Sequence, residues 1–143
     1  MRGFTLIELV IVLSITLMLS AIVGALSSTT LPKTQLHSES EAVIENLRRA
    51  QAFSIAGKHD QLWGVHLTST NLTLFAGSTY ALRDTQYDQV RTFPTGITVT
   101  GLSDILFAAL SGSTSNTGTI ILTPDATSET EVLTVNARGL VEK

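Results

Sequence analysis

Few residues in this 143-residue chain have the types and spacing that chemistry requires. His59-Asp60 and His66 make one histidine neighbourhood and His37 stands apart, but no HExxH spacing occurs, so a zinc hydrolase would lack its ligands. Asp84 and Asp88 flank Thr85-Gln86-Tyr87. Two carboxylates fall short of the roughly six to eight oxygens that calcium takes, and they read as solvated loop acids. There is no nucleophile elbow, P-loop or dinucleotide fingerprint, and no cysteine to serve as thiolate ligand, nucleophile or disulfide partner. These absences point away from an enzyme and leave no cofactor to expect. Arg48-Arg49-Lys58 is a small basic cluster, read as a solvated helix face on which Arg49 pairs with Glu45. The group most in need of explanation is Glu8, a carboxylate near the start of a long apolar run.

An acid in that position has to be carried by an element that tolerates it. From Phe4 to Leu26 the chain is mostly apolar and Glu8 is its only charge. As a helix this run is roughly 35 Å long against a hydrocarbon core of about 30 Å, enough to span a membrane. A cleaved secretory signal fits poorly, because the run is too long and Glu8 interrupts it, although Val23-Gly24-Ala25 has the composition of a cleavage site. Ser27-Ser28-Thr29-Thr30-Leu31-Pro32 predicts a kink or local melting, since Pro32 cannot donate to the Ser28 carbonyl. Ser38 and Glu41 have the spacing of a capping box. Beyond them Val43, Ile44, Leu47 and Ala50 share one helical face, and Gly57 is a natural stop. The expectation is one helix from Phe4 to about Ala56, bent near Pro32.

After Gly57 the apolar period changes from about 3.6 to 2. Trp63, Val65 and Leu67 alternate with Gly64 and His66, which places His66 on a polar face, and Leu72 and Leu74 follow a turn. Further strands are expected at Gln89–Phe93, Gly96–Thr100, Thr119–Thr123, Glu131–Asn136 and Leu140–Glu142, the last two joined through Ala137-Arg138-Gly139. Gly112 to Gly118 reads as an exposed loop. A helix followed by hairpin-connected strands predicts an α+β fold, with the apolar helix face on an antiparallel sheet.

The contiguous stretch Gly3-Phe4-Thr5-Leu6-Ile7-Glu8 resembles the processing site of type IV prepilins and type II secretion pseudopilins. The resemblance implies a pilin-like fold with four parts. Residues 1–3 would be a leader, 4–31 a transmembrane and filament-core helix, 32–57 its amphipathic half, and 58–143 an extracytoplasmic β-sheet domain. It also implies that prepilin peptidase cuts between Gly3 and Phe4 and methylates the Phe4 amine. Glu8 would then pair with the Phe4 terminus of a neighbouring subunit during assembly, because an unpaired charge in an apolar core is strongly destabilising. The expected partners are other pilin or pseudopilin subunits in a helical filament, the peptidase, and an inner-membrane assembly platform. Energy would come from separate ATPases. The precursor would sit in the inner membrane with its N-terminus cytoplasmic, an orientation that Arg2 supports, and would later join a periplasmic or surface filament.

Asn46 to Ala52, Trp63-Gly64-Val65 and Gly139-Leu140-Val141 are similar to the GspH/FimT type, as is the lack of a disulfide loop. Some members of that branch bind DNA through an arginine-rich C-terminal segment. In the matching segment here the available cations are Arg138 and Lys143, and phosphate binding needs several acting together. With a net charge of −3 as well, the sequence argues against a nucleic-acid partner.

Overall fold

The computed structural model describes residues 5–125 and 128–143, with side chains for all of these except 21–32. It opens with a helix, α1 (Leu6–Ile55), 50 residues long. The Thr5 hydroxyl caps it by accepting from the Glu8 N–H at 3.4 Å, and Glu8 puts negative charge in the first turn, where the helix dipole favours it. At the far end Ala56 N–H bonds the Ala52 carbonyl at 2.9 Å, and Gly57 turns the chain out at φ 60°. Of the kink or local melting expected between Ser27 and Pro32, the melting does not occur: one helix runs through the stretch, as the expectation of a single helix to about Ala56 requires. Proline removes one hydrogen bond, while strong helix-forming runs on both sides carry the helix through it. For the same reason Ser38 lies in mid-helix and does not cap anything, which corrects the capping-box reading. Among the described residues no helix is long and apolar enough to cross a membrane.

The second half of α1 carries a seam. Leu36, Ser40, Val43, Leu47, Ala50 and Ser54 recur at alternating steps of four and three, and none is more than 3% exposed. That spacing keeps one face toward a partner over five turns. The partner is a pair of antiparallel four-stranded sheets. The first contains β1 (Trp63–Leu67), β2 (Asn71–Ala76), β3 (Gln89–Thr92) and β5 (Asp104–Phe107) in the order β3-β2-β1-β5. The second contains β4 (Ile97–Gly101), β6 (Gly118–Pro124), β7 (Glu131–Val135) and β8 (Val141–Glu142) in the order β4-β6-β7-β8. α1 touches strands of both sheets, and Trp63, Leu74, Phe107, Ile120, Leu122 and Leu133 fill the space between.

The α+β class is therefore as the sequence predicts and consistent with a pilin-like fold, with two sheets in place of one. Only β5 has no counterpart in the sequence reading. It is four residues long, and its burial alternates solely through Ile105 and Phe107. The 112–118 loop is less exposed than expected. Gly112 and Thr114 are buried, the Gln51 amide donates to the Gly112 carbonyl at 2.9 Å, and Thr114 N–H bonds the Ala137 carbonyl at 3.1 Å.

Two side chains fix the turn from α1 into β1. The Ser54 hydroxyl accepts from Trp63 N–H at 2.8 Å and donates to the Trp63 carbonyl at 3.2 Å, while the indole N–H reaches the Lys58 carbonyl at 2.9 Å. Next to Trp63, Gly64 lies between Phe75 of β2 and Leu106 of β5 in register. A Cβ at Gly64 would stand 2.7 Å from both the Ile105 carbonyl oxygen and the Phe75 ring. Gly64→Ala is expected to cost about 1–3 kcal/mol by forcing one of them aside. Urea unfolding of the detergent-solubilised full chain measures this, and an unchanged midpoint would mean that the sheet yields freely.

Candidate assembly surface

The first half of α1 has no seam. From Leu6 to Leu19 the large apolar side chains are exposed all the way round, between 52% for Ile11 and 84% for Leu6. A helix that is apolar all round belongs in lipid or in the interior of a larger body. Its hydroxyls fit such a medium. Thr16 donates to the Val12 carbonyl at 2.9 Å, Ser20 to the Thr16 carbonyl at 2.8 Å, and Ser14 to the Val10 carbonyl. Each polar side chain there turns back onto its own helix, as an apolar environment requires. Glu8 is the exception, since its carboxylate has no hydrogen-bond or ionic partner among the described residues. Gly3 and Phe4, the other predicted processing and assembly residues, lie outside the described residues.

Three ionic contacts hold the segment from Lys33 to Glu41 against the sheets. Lys33 meets Glu129 at 2.5 Å. Arg91 of β3 grips Glu39 with both Nε and Nη2, at 2.9–3.2 Å, and Glu39 is only 8% exposed. The third contact centres on Lys143, whose ammonium lies 2.7 Å from His37 Nδ1, 3.2 Å from the Ser40 hydroxyl and 2.8 Å from Glu131 Oε2. The contact with Oε2 is an ion pair whose angles fall outside hydrogen-bond geometry. Sequence reasoning missed both the Glu39–Arg91 and the Glu131–Lys143 pairs. The only available signal was that Glu39 sits four residues before Val43, on the margin of the buried face.

The remaining sequence candidates are dispersed. Arg138 is exposed, and its carbonyl takes the Gln51 amide at 3.0 Å. Lys143 is anchored near Ser40, about 16 Å lower along the helix, so the two proposed DNA contacts do not form one patch. Arg49 rests over the Phe53 ring at 5.6 Å and makes no pair with Glu45 among the described residues. His66 lies on the polar face as expected, but it is partnered: Nδ1 is 2.8 Å from Asp104 Oδ1 and the ring stacks on Tyr80 at 3.7 Å. His59 stacks on Tyr87 at 4.3 Å. Asp84 caps the turn at Thr85–Tyr87 through Gln86 N–H. Asp88 is not solvated but accepts from Arg83 Nε at 2.8 Å, which raises the Arg83 guanidinium further above its ordinary range. Among the described residues no three histidine or acidic side chains converge to hold a metal ion.

Residues 1–24 match the family model of the prokaryotic N-terminal methylation motif. The chain carries a prepilin-type signal. This signal marks type IV pilin and pseudopilin precursors, and it implies a membrane-anchored precursor, processing by prepilin peptidase and assembly with other subunits. No curated protein and no solved structure gives a significant match.

The contact at Lys143 sets a pH dependence. Burial by itself would raise the Glu131 carboxyl, but the Lys143 ammonium, the Ser40 hydroxyl and His37 outweigh burial and hold it below its ordinary value of 4.5. With a depressed folded pKa, its contribution to stability is complete above pH 4.5 and is lost as the pH falls through the lower folded value. Lys143→Ala leaves burial unopposed by the ammonium and should move the acid-unfolding midpoint to higher pH. A thermal melt series from pH 7 to pH 3 reads the shift, and superimposable wild-type and variant profiles would contradict it.

Proposed function

We propose that the chain is a structural subunit, a pilin or pseudopilin, of a type IV pilus-like or type II secretion filament. Cleavage follows Gly3, and Phe4 becomes the methylated N-terminus. The observation that carries this reading is the Glu8 carboxylate, without a partner among the described residues, on a stretch of helix whose Ser14, Thr16 and Ser20 hydroxyls all bond back to its own backbone. Once the leader is removed, a positive amine stands four residues before Glu8 on every copy. An amine of one copy placed against Glu8 of the next gives each buried charge a partner, and only in one register. The methylation motif over residues 1–24 supports the processing that creates that amine.

The role proposed for the chain is mechanical, with no bond-making step assigned to it. Covered by lipid before assembly and by neighbouring helices afterwards, the first half of α1 would form the filament core. The two sheets would face outward on the periplasmic or exterior side. Assembly on an inner-membrane platform, driven by separate ATPases, belongs to the same reading.

Two measurements test it. Mass spectrometry of the chain purified from its native membrane should show a first residue of Phe4 carrying one added methyl group, and an intact Met1 or a cut near Ala25 would overturn the reading. Glu8→Ala and Glu8→Val should insert into the membrane normally but be lost from sheared filaments. Incorporation of both variants at the wild-type level would remove Glu8 from any role in assembly.

A further inference from the structure

We infer that the outer face of the first sheet carries a preformed site for an uncharged sugar ring, between the 77–83 loop and the 112–118 loop. The inference concerns the folded domain alone and does not depend on the filament reading.

Trp63, Val65 and Leu67 of β1 point into the core, so Gly64 and His66 turn to the other face of the sheet. In register with them, Phe75 and Thr73 of β2 and Leu106 and Asp104 of β5 share that outer face. A face turned from the core is ordinarily wet, yet Phe75 is only 1% exposed. The chain after β2 covers it. Gly77 N–H bonds the Leu62 carbonyl and Asp84 N–H bonds the Ala76 carbonyl, both at 2.8 Å, so the loop between them begins and ends at the sheet. Within the loop the Tyr80 ring stacks on His66 at 3.7 Å and meets Phe75 edge-on at 5.5 Å, while Arg83 lies over it at 3.8 Å. At those distances His66 and Arg83 must take opposite faces of the ring. Asp104 holds His66 Nδ1 and Asp88 holds Arg83 Nε, each at 2.8 Å, which fixes the stack at both ends.

Between this loop and Asn116 a cavity of about 460 Å3 remains, in the ordinary range for a small-molecule site. Phe75 and Leu106 give it an apolar floor, and Gly64, which lies between them in register, has no side chain to fill it. The rim is polar. The Asn116 amide and the Ser78 hydroxyl line it and have no hydrogen-bond partner among the described residues. Asn116 is nevertheless held in place, since its N–H bonds the hydroxyl of the buried Thr114 at 3.1 Å. Asp104 meets His66 and the Ser103 hydroxyl and keeps further lone pairs for a donor.

These groups select among ligands. No lysine or arginine among the described residues lines the cavity, so a phosphate or carboxylate would approach Asp104 with no cation to offset it. A wholly apolar ligand would strip water from Asn116 and Ser78 and return no hydrogen bond. A sugar ring answers both demands. Its C–H face suits the floor, and its hydroxyls donate to Asp104 and exchange hydrogen bonds with Asn116 and Ser78. Because the stack fixes the walls beforehand, little ordering remains to be done on binding.

The test uses the full-length chain in a phosphocholine detergent, which has no sugar head group. Methyl glycosides of glucose, galactose, mannose and N-acetylglucosamine are titrated in, and saturation-transfer NMR reads binding. At least one should bind saturably with a dissociation constant of about 1 mM, ordinary for a small polar ligand. Asn116→Ala should weaken it about tenfold, and Ala81→Trp, which fills the cavity from an exposed position, should abolish it. Both variants should keep the wild-type urea midpoint. Methyl glucuronide should bind more weakly than methyl glucoside, because it brings a second carboxylate to Asp104. A disaccharide that binds more tightly than its methyl glycoside would identify the end of a glycan as the source, and equal affinity a free sugar; either upholds the site. No saturable binding by any glycoside up to about 20 mM would overturn the inference. So would binding that survives both substitutions, or tighter binding of benzyl alcohol than of every glycoside.

Discussion

The structure depends on one helix having to satisfy two surroundings along its length. Between Leu6 and Leu19 it is apolar on every side, and from Leu36 to Ser54 it is apolar on a single seam. Leaving a buried-type Leu, Ile or Val in water costs about 1.5–3 kcal/mol per side chain. Several such residues together exceed the roughly 5–15 kcal/mol that holds an ordinary domain folded. Lipid or other helices must therefore cover the first half, and the domain cannot do so because its core is already closed. Trp63, Val65, Leu72, Leu74, Ile105, Phe107, Ile120 and Leu133 fill the space against the seam. Each half of the helix thus has a distinct partner, and neither half can serve the other's.

The ionic contacts follow from that division. Exposed pairs contribute little, so Lys33–Glu129 adds only modestly to stability. Glu39–Arg91 is different in kind. Glu39 sits beside the seam at 8% exposure, where an unpaired carboxylate would be costly, and the fork of Arg91 satisfies both of its oxygens. Together with the cluster at Lys143, it grips the helix from the edge strand of one sheet and from the strand end of the other. The seam fixes which face of α1 meets the sheets, and these pairs fix its position along the axis, because a slide of one turn would leave Glu39 without Arg91. The same reasoning applies to Glu8 on the proposed reading, where one acid on an apolar surface is satisfied in one register.

Much of this was legible in the sequence wherever a period or a stop residue was strong. Val43, Ile44, Leu47 and Ala50 announce the buried face, Gly57 ends the helix, and the alternation around Val65 and along β6 marks strands. The failures share a physical origin. Pro32 and the polar stretch before it predict a kink or melting from local propensity, and the melting is absent because the helix is decided by what lies on either side of that stretch. Ser38 and Glu41 match a cap locally, and the continuous helix leaves them nothing to cap. β5 was missed because four residues carry too little pattern, and its place is set by Gly64 and Trp63 of the neighbouring strand. The Glu39–Arg91 and Lys33–Glu129 pairs join positions 52 and 96 residues apart, and no local rule can see them. At the candidate site Glu8 was legible because an acid in an apolar run conflicts with its surroundings. Its isolation was not, since it depends on the neighbouring hydroxyls turning back onto the helix.

The two kinds of exposed feature act at different ranges. Apolar side chains on the first half of α1 give a large driving force with little direction, because every side of the helix looks alike. A single acid supplies the register that such a surface lacks, at the cost of demanding a partner. The sheet-bearing domain presents the opposite balance, mostly polar, with one strained, exposed leucine, Leu110, beside the end of the helix. If the helices alone fixed a filament, the domains above them would be free to vary in their mutual spacing. The seam of α1 limits that freedom, because it holds each domain rigidly to the helix that carries Glu8.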